Sequence, residues 1–118
     1  MATLLCEGRP VAPVRIAASR RARYRGLLGE EAIEGALLLL KTSGVHTLGM
    51  RFPIDVAYLT KDLSVIDIIQ MKPNRWSRNR LTARHTLEAT WGAMQNWGIT
   101  RGSRLLIAPE PGCCRAVI

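Results

Sequence analysis

Three polar side chains, His46, Arg51 and Asp55, stand inside Ser43-Gly-Val-His-Thr-Leu-Gly-Met-Arg-Phe-Pro-Ile-Asp-Val-Ala-Tyr-Leu59, a run that is otherwise mostly apolar. An imidazole can carry a proton near neutrality, a guanidinium can grip an oxyanion with two parallel hydrogen bonds, and a carboxylate can orient either group. Two uses fit these residues. They are polar struts that fix the crossing of strands, or they frame a cleft in which Arg51 or Arg25 holds an anionic ligand while His46 and Asp55 line the wall. Acid or base chemistry by His46 on an anionic metabolite is the enzymatic form of the second use. If Ile54 to Thr60 is extended, Asp55 shares a face with Ala57 and Leu59, and its carboxylate points into or beside packed apolar surface. A buried, unpaired carboxylate is costly or takes up a proton, so a partner is expected. Arg51 and His46 are nearest in sequence, and Arg23 or Arg25 nearest elsewhere.

Other chemistries have weaker footing. His46, Met50 and Met71 offer imidazole and thioether to a soft metal, yet a single His-x-x-x-Met pair with no cysteine or second histidine nearby reads as packing. No cofactor is expected, and elemental analysis of the purified protein is expected to find no stoichiometric zinc or copper. The serines at 19, 43, 64, 77 and 103 lie outside any Gly-x-Ser-x-Gly frame, and no Gly-x-x-x-x-Gly-Lys cradle for nucleotide phosphates occurs. Cys6, Cys113 and Cys114 are odd in number and lack Cys-x-x-Cys spacing, which signals neither a disulfide framework nor a zinc site.

Seventeen Lys and Arg against nine Asp and Glu give a net charge of +8, which biases the surface toward anionic partners. Arg20, Arg21, Arg23 and Arg25 form one cluster, and Lys72, Arg75, Arg78, Arg80 and Arg84 form another around Trp76. Cations beside a stackable ring suit single-stranded nucleic acid, but one tryptophan is not a platform, and a solvated basic loop or a protein contact is the favoured reading. The longest uninterrupted apolar stretch, Ala36 to Leu40, is far too short to cross a bilayer, and the first residues lack the features of an export signal. A cytoplasmic protein with no membrane partner is the expectation.

The elements that must position these groups read mostly as strands. Leu4 to Cys6 and Val11 to Ile16 flank a turn-like Glu-Gly-Arg-Pro, and Ile54 to Thr60 pairs with Ser64 to Met71 across Lys61-Asp62. Both faces of that last arm are apolar apart from Asp67, which predicts a core strand covered on two sides. Ala36 to Leu40, Arg84 to Ala89 and Arg104 to Ala108 complete the set. Ser19 is placed to cap a helix over Arg20 to Leu28 with Gly29 closing it, and Thr90 to Trp97 reads as one or two helical turns closed by Gly98. At 118 residues and 47% hydrophobic, one domain over 1–110 with a tail at 111–118 is expected.

Arg-Gly-Leu-Leu-Gly (25–29), Val-His-Thr-Leu-Gly-Met-Arg-Phe-Pro-Ile-Asp-Val (45–56), Thr-Leu-Glu-Ala (86–89) and Gly-Ile-Thr-Arg-Gly (98–102) occur in this order. Together they resemble the DUF192 family of small bacterial and archaeal domains of unknown function, over residues 3 to 108. The resemblance implies a compact, mainly antiparallel β domain, sandwich- or barrel-like, with one or two short helices, and it implies no established reaction. Thr42 stands where members often carry Cys, Ser103 where they often carry Asp after the glycine, and Ala93 where they often carry Thr. The expected function is a binding or accessory module. A small enzyme and a weak nucleic-acid binder are the rival classes.

Overall fold

The computed structural model describes residues 2–77, 80 and 82–109. Seven strands form one curled sheet: β1 (Ala2–Cys6), β2 (Arg9–Ala17), β3 (Ala36–Leu39), β4 (Ile54–Leu59), β5 (Val65–Met71), β6 (His85–Thr90) and β7 (Leu105–Ala108). Their spatial order is β5-β4-β6-β3-β2-β1-β7. Two short helices, α1 (Arg20–Arg25) and α2 (Ala93–Asn96), interrupt the strands. The architecture is the mainly β, barrel-like one that the sequence implies, with the sheet curled into a half-barrel. No helix among the described residues is long and apolar enough to cross a membrane.

The first hairpin turns on Glu7 and Gly8, both at positive φ, as a two-residue turn matched to the twist of its strands requires. Both arms run longer than their apolar cores suggest. All strand pairings are antiparallel except β2 with β3, which are parallel. Parallel neighbours need a crossover connection, and residues 18–35, carrying α1, supply it. That connection lays Leu27 on the outer face of the sheet, so the described residues form two apolar cores. Inside the curl pack Leu4, Val14, Leu38, Ala57, Leu59, Leu87 and Leu105, with Met94 of α2 and Ile99 closing one end. Outside, Leu27 and Met50 pack on Leu37, Leu39, Ile54, Val56 and Tyr58.

Alternation along β4 and β6 distributes side chains between these cores. Asp55, Ala57 and Leu59 face inward with His85, Leu87 and Ala89, while Val56 and Tyr58 face outward with Thr86 and Glu88. The orientation read for Asp55 from sequence is therefore the one found. The reading of β5 as a core strand covered on both sides holds only in part: Ile68 packs on the inner cluster and Ile66 and Ile69 on the outer one, but the strand is an edge. It lies at one end of the strand order and its middle residues are only half-buried, because β4 is its sole full-length neighbour. Its beginning is stitched to the start of β7 by a Ser64–Arg104 bridge and by Leu105 N–H donating to the Leu63 carbonyl at 3.0 Å. The curl thus closes at one corner.

Helix α1 is shorter than predicted. Ser19 caps it, its Oγ accepting from Ala22 N at 3.1 Å, but the chain leaves the helix at Gly26 (φ 50°) rather than continuing to Leu28. Leaving early lets Leu27 turn into the outer core, where it is fully buried.

Candidate functional site

The structure separates the three residues with which the sequence argument began. Asp55 is 2% exposed, and its carboxylate is satisfied by neighbours that are neither arginine nor histidine. Gln70 Nε2 donates to Oδ1 at 3.0 Å from the adjacent position on β5, and Met94 N donates to Oδ2 at 3.1 Å from the first turn of α2. This arrangement is a strut: β4 anchors the helix that plugs the curl. Arg51 is exposed and pairs with the still more exposed Glu31 at 3.1 Å, a contact that contributes little in water. His46 lies on the outer side of the sheet, the opposite side from Asp55. Its ring packs against Trp76 with centroids 5.0 Å apart, and its Nδ1 accepts from Leu48 N at 3.3 Å.

The strut makes a measurable statement. Asp55→Ala leaves Met94 N–H and the Gln70 amide without partners in the interior, and it is expected to cost about 2 to 3 kcal/mol in denaturant unfolding. A loss below about 0.5 kcal/mol would show that the carboxylate does not hold α2.

What gathers on the outer side is a cavity of about 270 Å³. Arg20, Arg23 and Arg25 of α1 line it together with His46, Thr42 and Glu88, over apolar walls of Leu27, Leu28, Leu39 and Met50. The capped helix explains the arginines, since positions 20, 23 and 25 present three cations from barely more than one turn. Arg23 is held in place, donating through Nη1 to the carbonyls of Leu40 and Lys41 at 3.2 and 3.4 Å. Arg20 and Arg25 form no ion pair among the described residues, and both are exposed residues that line the cavity.

Glu88 was not singled out by the sequence reading. It is 3% exposed, and its Oε1 has no hydrogen-bond partner among the described residues. Its strand neighbours are apolar, Val56 on one side and Leu37 on the other. Burial, helped by the negative charge of Glu30, pushes its carboxyl from the ordinary 4.5 up to about 7. Glu30 is itself paired with Arg15 at 2.9 Å. The crossover passes close by, for a Cβ placed on Gly26 would sit 3.4 Å from Glu88 Oε1. A hint was available in sequence. Glu88 is the one charged residue of His85-Thr-Leu-Glu-Ala-Thr90, and it becomes notable once the outer face of β6 is known to be covered.

The basic residues of 72–84 do not form one stripe. Arg75 and Lys72 border a groove with Trp76, which is 72% exposed, and with Trp91, a second exposed ring that sequence spacing did not connect to it. Arg80 folds onto the outer face of the sheet, its guanidinium 4.9 Å over the Tyr58 ring and 3.4 Å from Asp67. Arg84 borders a different cavity with Lys41, Lys61 and His85. Burial, then Arg84 and Lys41, lower the His85 pKa, in keeping with a neutral ring whose Nδ1 accepts from Lys41 N at 3.0 Å. Arg78, Cys113 and Cys114 lie outside the described residues. Met50 and Met71 both pack in the outer core.

The profile of the DUF192 family, described as "Uncharacterized ACR", matches residues 4–107. The chain belongs to the DUF192 family. No curated protein matches it. Among solved structures, this DUF192 chain is similar to a protein of unknown function from Novosphingobium aromaticivorans DSM 12444, with a TM-score of 0.76 and 16% identity over 89% of this chain and 82% of that one. It is also similar to a "putative transcription regulator" from Sinorhizobium meliloti 1021, with a TM-score of 0.74 and 19% identity over 90% of this chain and 91% of that one. At these identities the likeness establishes a shared fold. It carries no activity to the DUF192 chain.

Proposed function

We propose that this protein is a binding module for a small anionic ligand, seated in the outer cavity between α1 and the β3–β6 face. The observation that carries the reading is the convergence of Arg20, Arg23, Arg25 and His46 on one concave space with apolar walls. Cations at a rim with an apolar floor favour an organic anion over a bare inorganic one, because burial of its carbon skeleton adds to the charged hydrogen bonds. In this reading Arg25 and His46 line the site, whereas Arg51, on the exposed surface, and Asp55, bonded to Gln70 and Met94, take no part in it.

Titration of the protein with benzoate, followed by backbone amide chemical shifts, tests this. Saturable shifts are expected at Gly26, Thr42, Gly44 and His46, weakened about tenfold or more in Arg25→Ala, the size of a lost charged hydrogen bond. Small shifts spread over the surface and linear in concentration would overturn the reading.

A second reading is favoured by one observation, the meeting of Trp76 and Trp91 in a groove with Lys72 and Arg75. Two rings and two cations suit a short single strand of nucleic acid. If a short oligonucleotide at physiological salt perturbs Trp76 and Trp91, and Trp76→Ala weakens it by roughly tenfold or more, this reading replaces the first.

A further inference from the structure

The feature of the cavity that a simple anion site does not need is the buried carboxyl at its base. A buried polar atom with no partner destabilises the fold, and Val56 and Leu37 beside it would accept an apolar neighbour at this position without difficulty. Glu88 is nevertheless there, 3% exposed, on the wall of the same space that the three arginines border.

We infer that Glu88 is a ligand-contacting residue that binds as a neutral carboxylic acid, so that the site selects an anion carrying an uncharged hydroxyl or carbonyl at its inner end. The inference rests on the anion-binding reading above. The geometry divides the ligand into three parts. Its negative end meets Arg20 and Arg25 at the mouth, where guanidinium groups lack an ion-pair partner among the described residues. Its apolar middle lies along Leu27, Leu39 and Met50. Its inner end meets the carboxyl of Glu88 on the cavity wall, the one wall group buried without a hydrogen-bond partner among the described residues.

A neutral acid is the form that fits. An ionised Glu88 would repel an incoming anion and would need a counter-charge, yet Oε1 is bonded to no arginine and Glu30 across the crossover adds negative charge. A carboxyl that keeps its proton to about 7 is available in the required form at neutrality. The charged groups around it are Arg20, Arg23 and Arg25 from α1, Glu30 with Arg15 from the crossover and β2, and His46 from the loop after β3.

The test compares benzoate with 4-hydroxybenzoate by calorimetry, in wild type, Glu88→Leu and Glu88→Gln. Wild type at pH 6 is expected to bind 4-hydroxybenzoate about tenfold more tightly, a preference lost in Glu88→Leu and kept in Glu88→Gln, whose amide still reaches the hydroxyl. Between pH 6 and pH 8 the wild-type affinity is expected to fall about tenfold further than that of Glu88→Gln, as Glu88 ionises. Since Arg15, Glu30 and His46 are common to both proteins, the difference isolates Glu88. Equal binding of the two compounds, with dependence on Arg25 intact, would overturn this inference and leave the anion site standing. Affinity for 4-hydroxybenzoate rising with pH would overturn it, because the ionised carboxylate, accepting from the hydroxyl, would then be the binding form. Binding of neither compound at any pH would remove both proposals.

Discussion

At pH 8 Glu88→Gln is expected to be about 3 kcal/mol more stable than wild type, and at pH 4 the two should be nearly equal. The sign follows from where the proton sits. The folded carboxyl holds its proton to about 7, whereas the unfolded one releases it near the ordinary 4.5. Below pH 4.5 both states are protonated and the residue is neutral in the balance. As the pH rises from there, the unfolded state gains by ionising and the folded state does not, so wild type loses stability until the folded group also ionises near pH 7. Glutamine has no such term. His85 slopes the other way, since its lowered pKa gives stability that is lost as the pH falls, but it is present in both proteins and cancels in the comparison. Denaturant unfolding of the two proteins at several pH values measures the difference. A gap that does not widen between pH 4.5 and pH 7 would mean that Glu88 is hydrated or paired in solution.

Gly35→Ala is expected to cost about 4 kcal/mol. The residue stands immediately before β3 with φ at 74°, a conformation that side-chain-bearing residues rarely adopt. An added Cβ would fall 2.1 Å from the Pro13 carbonyl oxygen and 2.7 Å from Pro13 Cγ, so backbone must move. What would have to move is the entry into the parallel β2–β3 pair, which begins one residue later at Val14 opposite Ala36. Gly102→Ala offers the control. Its φ of 85° is equally unusual, but nothing lies within 4 Å of the added carbon, and a cost of about 1 kcal/mol is expected. Similar losses at the two positions would show that strain in φ, and not the Pro13 contact, governs both.

The legible parts of this molecule were those set by short-range rules. Ser19 announces α1, Pro53 starts β4 in the extended state, and alternation from Ile54 to Leu59 sends Asp55 inward. What escaped were facts decided by distant pairings. The partner of Asp55 looked to be a nearby cation, yet His46 precedes β4 in a loop on the other side of the sheet, and the vacancy on the inner side is filled by Gln70 and by the amide of Met94, 39 residues away. Glu88 carries no local sign of its position. Its burial comes from the crossover that returns past Gly26, and a parallel pairing of β2 with β3 is not written in either strand. The half-covered state of β5 is likewise a matter of sheet order, since its composition alone fits a central strand.

The open side of the curl bears on how copies of this protein meet one another at high concentration. Beyond the corner where β5 touches β7, the rest of β5 faces no strand on its free side among the described residues, and such a margin is a template for another extended chain. Asp67 interrupts the template. Its Oδ1 accepts from Ile68 N at 2.9 Å, and Arg80 lies against its other oxygen at 3.4 Å. A strand arriving from a second molecule would have to strip water from that charged pair and displace a carboxylate from an amide it already satisfies. A single aspartate in the middle of an otherwise sticky segment, Val65 to Met71, thus gives the chain a local defence against edge-to-edge aggregation.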